Sequence, residues 1–304
     1  MQATMIRDRK AKVLCNPDHS PLSEKQLRAF APVIFNDSPS KAMSQSYMPV
    51  MSWDVVKELK THGYAPTHVQ LRNRAGLMDF TQHSIRFSQV DSKARLLVRG
   101  DVAPQLFMRN ALDGSAKLEF WNGLLRLVCS NGLIVSDASI AQPLAVRHLA
   151  APTLAAIMAI QEIAAQSKVM FQHIDEMRKK TLTEKQQIVM ASDALRIMDI
   201  KGVIQPAELL VARRNDDNGA DVWRTFNRIQ ENVVRGGVAG KTADARPTKT
   251  RGLSGIEAQL HSNTHLWHLA MAAIGRAADS SRSAVRVLKD FDQLAPQNEA
   301  SSAA

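Results

Sequence analysis

The chain has 304 residues, 45% of them hydrophobic, with 39 Lys+Arg against 29 Asp+Glu and a formal net charge of +10. That length supports one large or two modest domains with an adequate core, and the charge calls for an anionic partner or serves solubility. Cys15 and Cys129 are the only cysteines and lack a CxxC or CxxH partner, which argues against a disulfide framework or a cysteine-rich zinc site and for a reducing compartment.

In chain order, residues 1–30 read as a basic N-terminal segment with six Lys/Arg against three Asp/Glu. Arg7, Arg9, Lys10 and Lys12 are not followed by an apolar stretch, so no signal peptide is expected. No run nears the roughly 18 apolar residues of a membrane span, so no membrane partner is expected. Residues 31–150 read as an α+β sheet domain. Ser52 caps a helix to Thr61 that ends at Gly63. Period-two alternation predicts strands over 67–74, 80–90 and 95–99, with the apolar stretch 105–109 beside them. The turn residues at 73–76, 100–101 and 110–114 suit an antiparallel meander. Lys117–Cys129 reads as a helix closed by Asn131-Gly132, with a short strand Leu133–Val135 after it. The alternative is a strand Leu124–Cys129 that makes a hairpin at Asn131-Gly132.

From Pro152 the period becomes helical, giving a helical region over 151–292. Thr153 caps a long helix to about Lys180, and Thr183 with Gln186 forms a capping box for a helix to about Asp199. Pro206 opens a short helix. Asp221 caps another, with Val222, Phe226, Ile229 and Val233 buried and a stop at Gly236-Gly237. A Gly-rich basic loop over 235–251 precedes a last helix from Ser254 to about Leu288, and 293–304 read as a disordered tail. The fold class is α+β: a small antiparallel meander with flanking helices in the N-terminal half and a helical C-terminal half.

Two stretches concentrate the charge: residues 67–99, with six Lys/Arg against two acids, and residues 221–252, with seven against three. If Val69, Leu71, Ile85, Phe87, Leu96 and Val98 face the core, parity puts Arg72, Arg74, Arg86, Arg95 and Arg99 on the opposite, open face. Guanidinium forks bind phosphates and stack on bases, so such a face suits single-stranded nucleic acid. An ordinary solvated sheet surface is the competing reading. Aromatics are 5% of residues, with Tyr64, Phe80 and Trp121 the nearest stacking candidates. In the loop, Arg235, Lys241, Arg246, Lys249 and Arg251 stand against Asp244 alone, a pattern for wrapping a phosphate backbone or for a solvated linker. Gly236–Thr242 resembles a nucleotide-binding loop but has Arg235 where the motif needs Gly, and it follows a helix rather than a strand.

Glu257, His261, His265 and His268 fall at i, i+4, i+8 and i+11, so a helix brings them to one side, where a metal could bind. The spacing is not HExxH, and core or surface hydrogen bonding is the plainer reading, so no metal or other cofactor is expected. No nucleophile elbow, dinucleotide fingerprint or paired-carboxylate motif appears.

Tyr47-Met48-Pro49-Val50, Phe80-Thr81-Gln82-His83, the run Gly123 to Val135 and the block Trp223 to Gly237 resemble the phage- and plasmid-borne family called domain of unknown function nine-three-two. The resemblance spans roughly residues 22–275. Where members often carry Asn-Ser-His-Asp-Gly, this chain has Asn110-Ala111-Leu112-Asp113-Gly114. The resemblance implies a mobile-element setting and, with the reducing compartment, a cytoplasmic place in a bacterial host cell. A meander followed by a helix is also similar in outline to the single-strand annealing proteins of the RecT, Redβ and Erf group.

The leading expectation is a non-catalytic DNA-binding protein, acting in single-strand annealing or recombination as a homo-oligomer. The alternative is an interaction protein of a mobile element, such as an inhibitor of a host defence complex. A metal-dependent enzyme built on the histidine stripe is the third reading.

Overall fold

The computed structural model describes residues 4–7, 11–44, 49–72, 80–98, 101–126, 132–135, 144–146, 152–198, 203–253 and 255–276. The chain is α+β, with an antiparallel sheet in the N-terminal half and helices in the C-terminal half. It divides into two compact units, 1–169 with 254–260, and 170–253 with 261–304. The boundaries fall at 169/170, 253/254 and 260/261, where the sequence suggested 150/151.

In the first unit the strands are β1 (Thr4–Arg7), β2 (Ala11–Cys15), β3 (Tyr64–Arg72), β4 (His83–Gln89), β5 (Val102–Asn110), β6 (Leu118–Arg126), β7 (Gly132–Val135) and β8 (Leu144–Val146). They pair antiparallel in sequence order from β1 to β7, and β8 pairs with β6 beside β7. A bulge between Pro66 and His68 shifts the β3–β4 register by one residue. Leu14, Val69, Ile85, Met108 and Phe120 are register partners and lie on one face. That face is covered by α1 (Glu24–Phe30), a 3-10 turn (Pro32–Phe35) and α2 (Ser52–Thr61), which bring Leu27, Val33, Ile34, Val55, Val56 and Leu59 into the same core. Burying each of these side chains contributes about 1.5–3 kcal/mol, and this cluster holds the unit together. Ser23 starts α1 through a capping box with Gln26.

The second unit contains the C-terminal part of α3 (Pro152–Lys179), α4 (Glu184–Ile197), α5 (Pro206–Leu209), α6 (Val222–Arg235), β9 (Ala239–Lys241), β10 (Pro247–Lys249) and most of α7 (Ile256–Ala273). The expected Thr183–Gln186 capping box opens α4, and Asp221 caps α6 by accepting from the Arg224 N–H at 2.9 Å. The apolar stripe of α6 buries Val222, Phe226, Ile229 and Val233, and Phe226 packs edge-on against the fully buried Trp267.

The basic N-terminal segment supplies β1, β2 and α1. Four expectations are corrected. Of the segment 95–99, the described residues 95–98 form no strand beyond an isolated bridge from Leu96 to Val90: the Asp91 carboxylate accepts from the Lys93 and Arg95 N–H groups and folds 91–95 into a turn, leaving Leu97 and Val98 exposed. The predicted helix from Lys117 is strand β6, with β7 antiparallel to it, closer to the hairpin alternative. Nearly every β6 residue is buried, so its apolar residues do not alternate and the run imitates a helix. The basic loop after α6 carries a two-stranded ribbon, described below. The last helix, expected to about Leu288, ends at Ala273 before a turn with Gly275 at φ +78; residues beyond 276, the expected tail at 293–304 among them, lie outside the described residues.

Candidate nucleic-acid interface

The loop after α6 is an ordered β-ribbon. Strands β9 and β10 pair with Lys241 opposite Pro247, Gly240 opposite Thr248 and Ala239 opposite Lys249. Alternation follows: Ala239, Lys241, Pro247 and Lys249 are exposed, whereas Gly240 and Thr248 are half-buried. Lys241 and Lys249 therefore share the exposed face. At the tip, Thr242 accepts from Ala245 N–H at 2.9 Å, and Ala245 adopts φ +62, the turn-plus-left-handed-residue connection common in three-residue hairpins. Arg246 follows directly.

The root of the ribbon is fixed by close backbone packing. Gly237 N–H donates to Thr250 O at 2.8 Å and Thr250 N–H to Val238 O at 2.9 Å. Gly236 has φ +66, and a Cβ there would lie 2.8 Å from Thr250 O; a Cβ on Gly252 would lie 2.7 Å from Arg235 O. Both positions therefore demand glycine. Val203 adds a bridge to Lys241, with hydrogen bonds in both directions at 2.8 and 3.0 Å. A Cβ on Gly240 would collide with Ile204, so glycine also lets the ribbon lie against that segment.

The charges of 221–252 divide in two. Those on α6 are engaged internally: Arg224 pairs with Asp221 at 2.7 Å, Arg228 donates to Gln187 Oε1 at 2.8 Å and Gly219 O at 2.9 Å, and Arg235 pairs with Glu231 at 3.1 Å. The nearly buried Glu231 also receives Arg214. Lys241, Arg246, Lys249 and Arg251 are exposed and, among the described residues, have no ion-pair partner. Only Asp244 opposes them in this segment. Four unneutralised cations on a rooted ribbon form an electropositive surface that suits a phosphate backbone.

The arginine face expected on the sheet is not an open groove. Arg72 and Arg86 do lie on the face away from the main core, as parity required. Arg86, however, is only partly exposed, donates to Gln259 Oε1 at 3.3 Å, and has its pKa lowered to about 10 because burial disfavours its charge. Residues 257–260 cover this face: Leu260 packs on Phe107 and Trp121, and Glu257 pairs with Arg109, which also holds Glu119. Arg72 is exposed at the end of β3 and reaches Gln82 Oε1. Arg95 sits in the 91–95 turn, tied to Asp91 at 2.7 Å. Arg74 and Arg99 lie outside the described residues.

The histidine stripe does reach one side of α7. His261 and His265 rings meet at 4.2 Å, and His265 and His268 at 6.4 Å. Glu257 is committed to Arg109, and no group of three or more His, Cys, Asp or Glu among the described residues is arranged to hold a metal. The His265 pKa is lowered by burial and by its two histidine neighbours.

Sequence reasoning missed a buried polar network under α2. Ser52 Oγ lies 2.7 Å from His83 Nε2, and Asn110 Nδ2 donates to Ser52 Oγ at 2.9 Å and Val50 O at 2.8 Å. His83 Nδ1–H donates to Thr81 O at 3.1 Å, which fixes the tautomer and makes Nε2 the acceptor for the Ser52 hydroxyl. The pair has the spacing of an activated nucleophile, yet Ser52, His83 and Asn110 are all 0% exposed, so it is closed off from solvent in this structure. Its role is to lock α2 and the 49–51 segment to β4 and β5. Ser52, expected as a helix cap, spends its hydroxyl here, and Met51 takes the cap position without a side-chain hydrogen bond.

The fold and these sites define an α+β protein of two compact units, one of which carries a basic ribbon. The DUF932 family, a domain of unknown function, matches residues 39–267, and the chain belongs to it. It is 26% identical over 258 residues to the UPF0380 protein YafZ of Escherichia coli (strain K12), covering 84% of this chain and 92% of that one. It is 25% identical over 257 residues to the UPF0380 protein YfjQ of the same organism, covering 82% and 90%. No solved structure matches the chain. Among the described residues no helix is long and apolar enough to cross a membrane.

Proposed function

We propose that this protein binds nucleic acid without catalysis, gripping the phosphate backbone with its basic ribbon. The observation that carries the reading is the group of exposed, unpaired cations Lys241, Arg246, Lys249 and Arg251 on a ribbon whose root is fixed by glycine packing. Cations held on a preorganised hairpin release counterions from a phosphate backbone at a smaller ordering cost than a flexible loop. The covered sheet face moves the proposed contact away from Arg86, so the ribbon, rather than a sheet groove, is the surface that meets the strand. In the single-strand annealing form of this proposal, the ribbon tracks the backbone and leaves bases exposed for pairing, in a homo-oligomer of a phage or plasmid protein.

The test is fluorescence anisotropy with single-stranded and duplex oligonucleotides across a salt series. Binding is expected at low salt and to weaken steeply as salt rises. Replacing Lys241, Arg246 and Lys249 together by Gln is expected to reduce the slope of log K against log salt by about 2–3. Preference for the single strand supports the annealing form. Absence of binding at low salt, or a triple variant with unchanged slope, overturns the reading.

A further inference from the structure

Across the covered face of the sheet, Cys15, His68, Arg86, Phe107 and Trp121 are successive register partners on β2 to β6. The loop after β2 turns back over this row. His19 sits in the left-handed region at φ +58 and stacks on His68, with ring centroids 5.3 Å apart and planes inclined by 23°. His19 is 7% and His68 5% exposed. Each keeps a buried ring nitrogen, Nδ1 of His19 and Nε2 of His68, with no hydrogen-bond partner.

Arg86 stands beside them. It is close enough to lower the His19 and His68 pKa values, although burial is the larger cause for both, and to draw down the Cys15 thiol, which burial nonetheless leaves raised. Its hydrogen-bond partner is the neutral Gln259, and no carboxylate balances its charge. The carboxylate felt by His19 is Asp18, an exposed group already accepting from Ser20 N–H and Oγ. The neighbouring polar residues, Thr67, Ser88 and Gln105, bond to one another and bring no charge.

A guanidinium largely withdrawn from water with no counter-ion among the described residues, next to two buried imidazole nitrogens without a protein partner, is costly, and such groups in a native structure call for an explanation, a bound ion among them. A cation is a poor occupant, because Arg86 repels it and the thiol is held protonated. An oxyanion answers every unmet group: the guanidinium fork donates to it, and each imidazole donates from the nitrogen that now lacks a partner. The Thr67 hydroxyl donates to Arg86 O at 3.3 Å and lies 3.2 Å from His68 Nδ1; turned to donate to Nδ1 instead, it leaves the His68 proton on Nε2, where it can meet the anion.

We infer that Arg86, His19 and His68 form a binding site for a phosphate-type oxyanion, separate from the ribbon and in the other compact unit. The phosphate belongs either to a small molecule or to the end of a nucleic-acid strand. The inference stands independently of the ribbon reading.

Thermal unfolding and calorimetric titration of the full chain test it, with inorganic phosphate and adenosine monophosphate as small-molecule probes and an oligothymidylate bearing a terminal phosphate as the strand. Sodium chloride at matched ionic strength is the control for screening. The unfolding temperature is expected to rise with at least one phosphate probe beyond the chloride control. Arg86→Met is expected to abolish that rise while leaving the unliganded protein at least as stable, because it removes an unbalanced charge. His68→Gln is expected to weaken phosphate binding about tenfold. A rise with the small probes assigns the site to a small molecule, and a rise with the strand alone assigns it to a strand end. The Lys241, Arg246, Lys249 triple variant retains the rise, which separates this site from the ribbon. No rise with any probe, a rise that survives Arg86→Met, or zinc binding that depends on Cys15 and His68 overturns the inference.

Discussion

His83 is a neutral imidazole locked in a core, and its consequence is measurable. Burial lowers its pKa to about 4, against about 6.5 in an unfolded chain. Between those values the unfolded chain binds a proton that the native protein refuses. Stability is therefore expected to be intact above pH 6.5 and to fall by up to about 3 kcal/mol as the pH drops to 4. His19 and His68, also lowered by burial, add to the same trend. Urea midpoints measured across this range check it, and His83→Gln is expected to flatten the slope; an undiminished slope in that variant contradicts the assignment. Ser52→Ala leaves His83 Nε2 without its donor and is expected to cost about 1–3 kcal/mol by the same measurement at neutral pH. The sequence displays His83 within a family-like block, but nothing local distinguishes a buried histidine from a ligand. The hydroxyl that settles the matter lies 31 residues away, on α2.

At the scale of elements, the ribbon depends on glycines at its root and tolerates strain at its tip. Gly252→Ala forces a Cβ onto Arg235 O and is expected to destabilise the root by about 1–3 kcal/mol. The readout is limited trypsin digestion, with faster cleavage at Lys241 and Lys249. Ala245→Gly removes a side chain from a left-handed position and is expected to raise stability by up to about 1 kcal/mol without loss of nucleic-acid binding. Helix starts were legible here because caps are local chemistry: Thr183 with Gln186 and Asp221 announce α4 and α6 within one turn. The ribbon was not, because short strands of Gly, Lys, Pro and Thr carry no apolar alternation. Its pairing is decided by Val203 and by the backbone contact of Gly236 with Gly252.

For the whole molecule, the sheet unit is completed by a segment from far along the chain. Residues 257–260 bring Gln259 to Arg86, Glu257 to Arg109 and Leu260 to Phe107 and Trp121. A fragment ending at residue 169 lacks that cover. It is expected to bind anilinonaphthalene sulfonate and to show greater acrylamide quenching of tryptophan than the intact chain; a fragment as protected as the full protein would contradict this completion.

The sequence by itself determined the α+β class, the side of the sheet on which Arg72 and Arg86 fall, the helix caps and the concentration of charge after α6, because parity, capping and composition act over a few residues. Only the tertiary structure decided which cations remain available. Whether a cation is exposed depends largely on contacts between residues distant in sequence, and these cover Arg86 with Gln259 and leave Lys241, Arg246, Lys249 and Arg251 open to solvent, whereas Arg235 is paired within its own helix by Glu231.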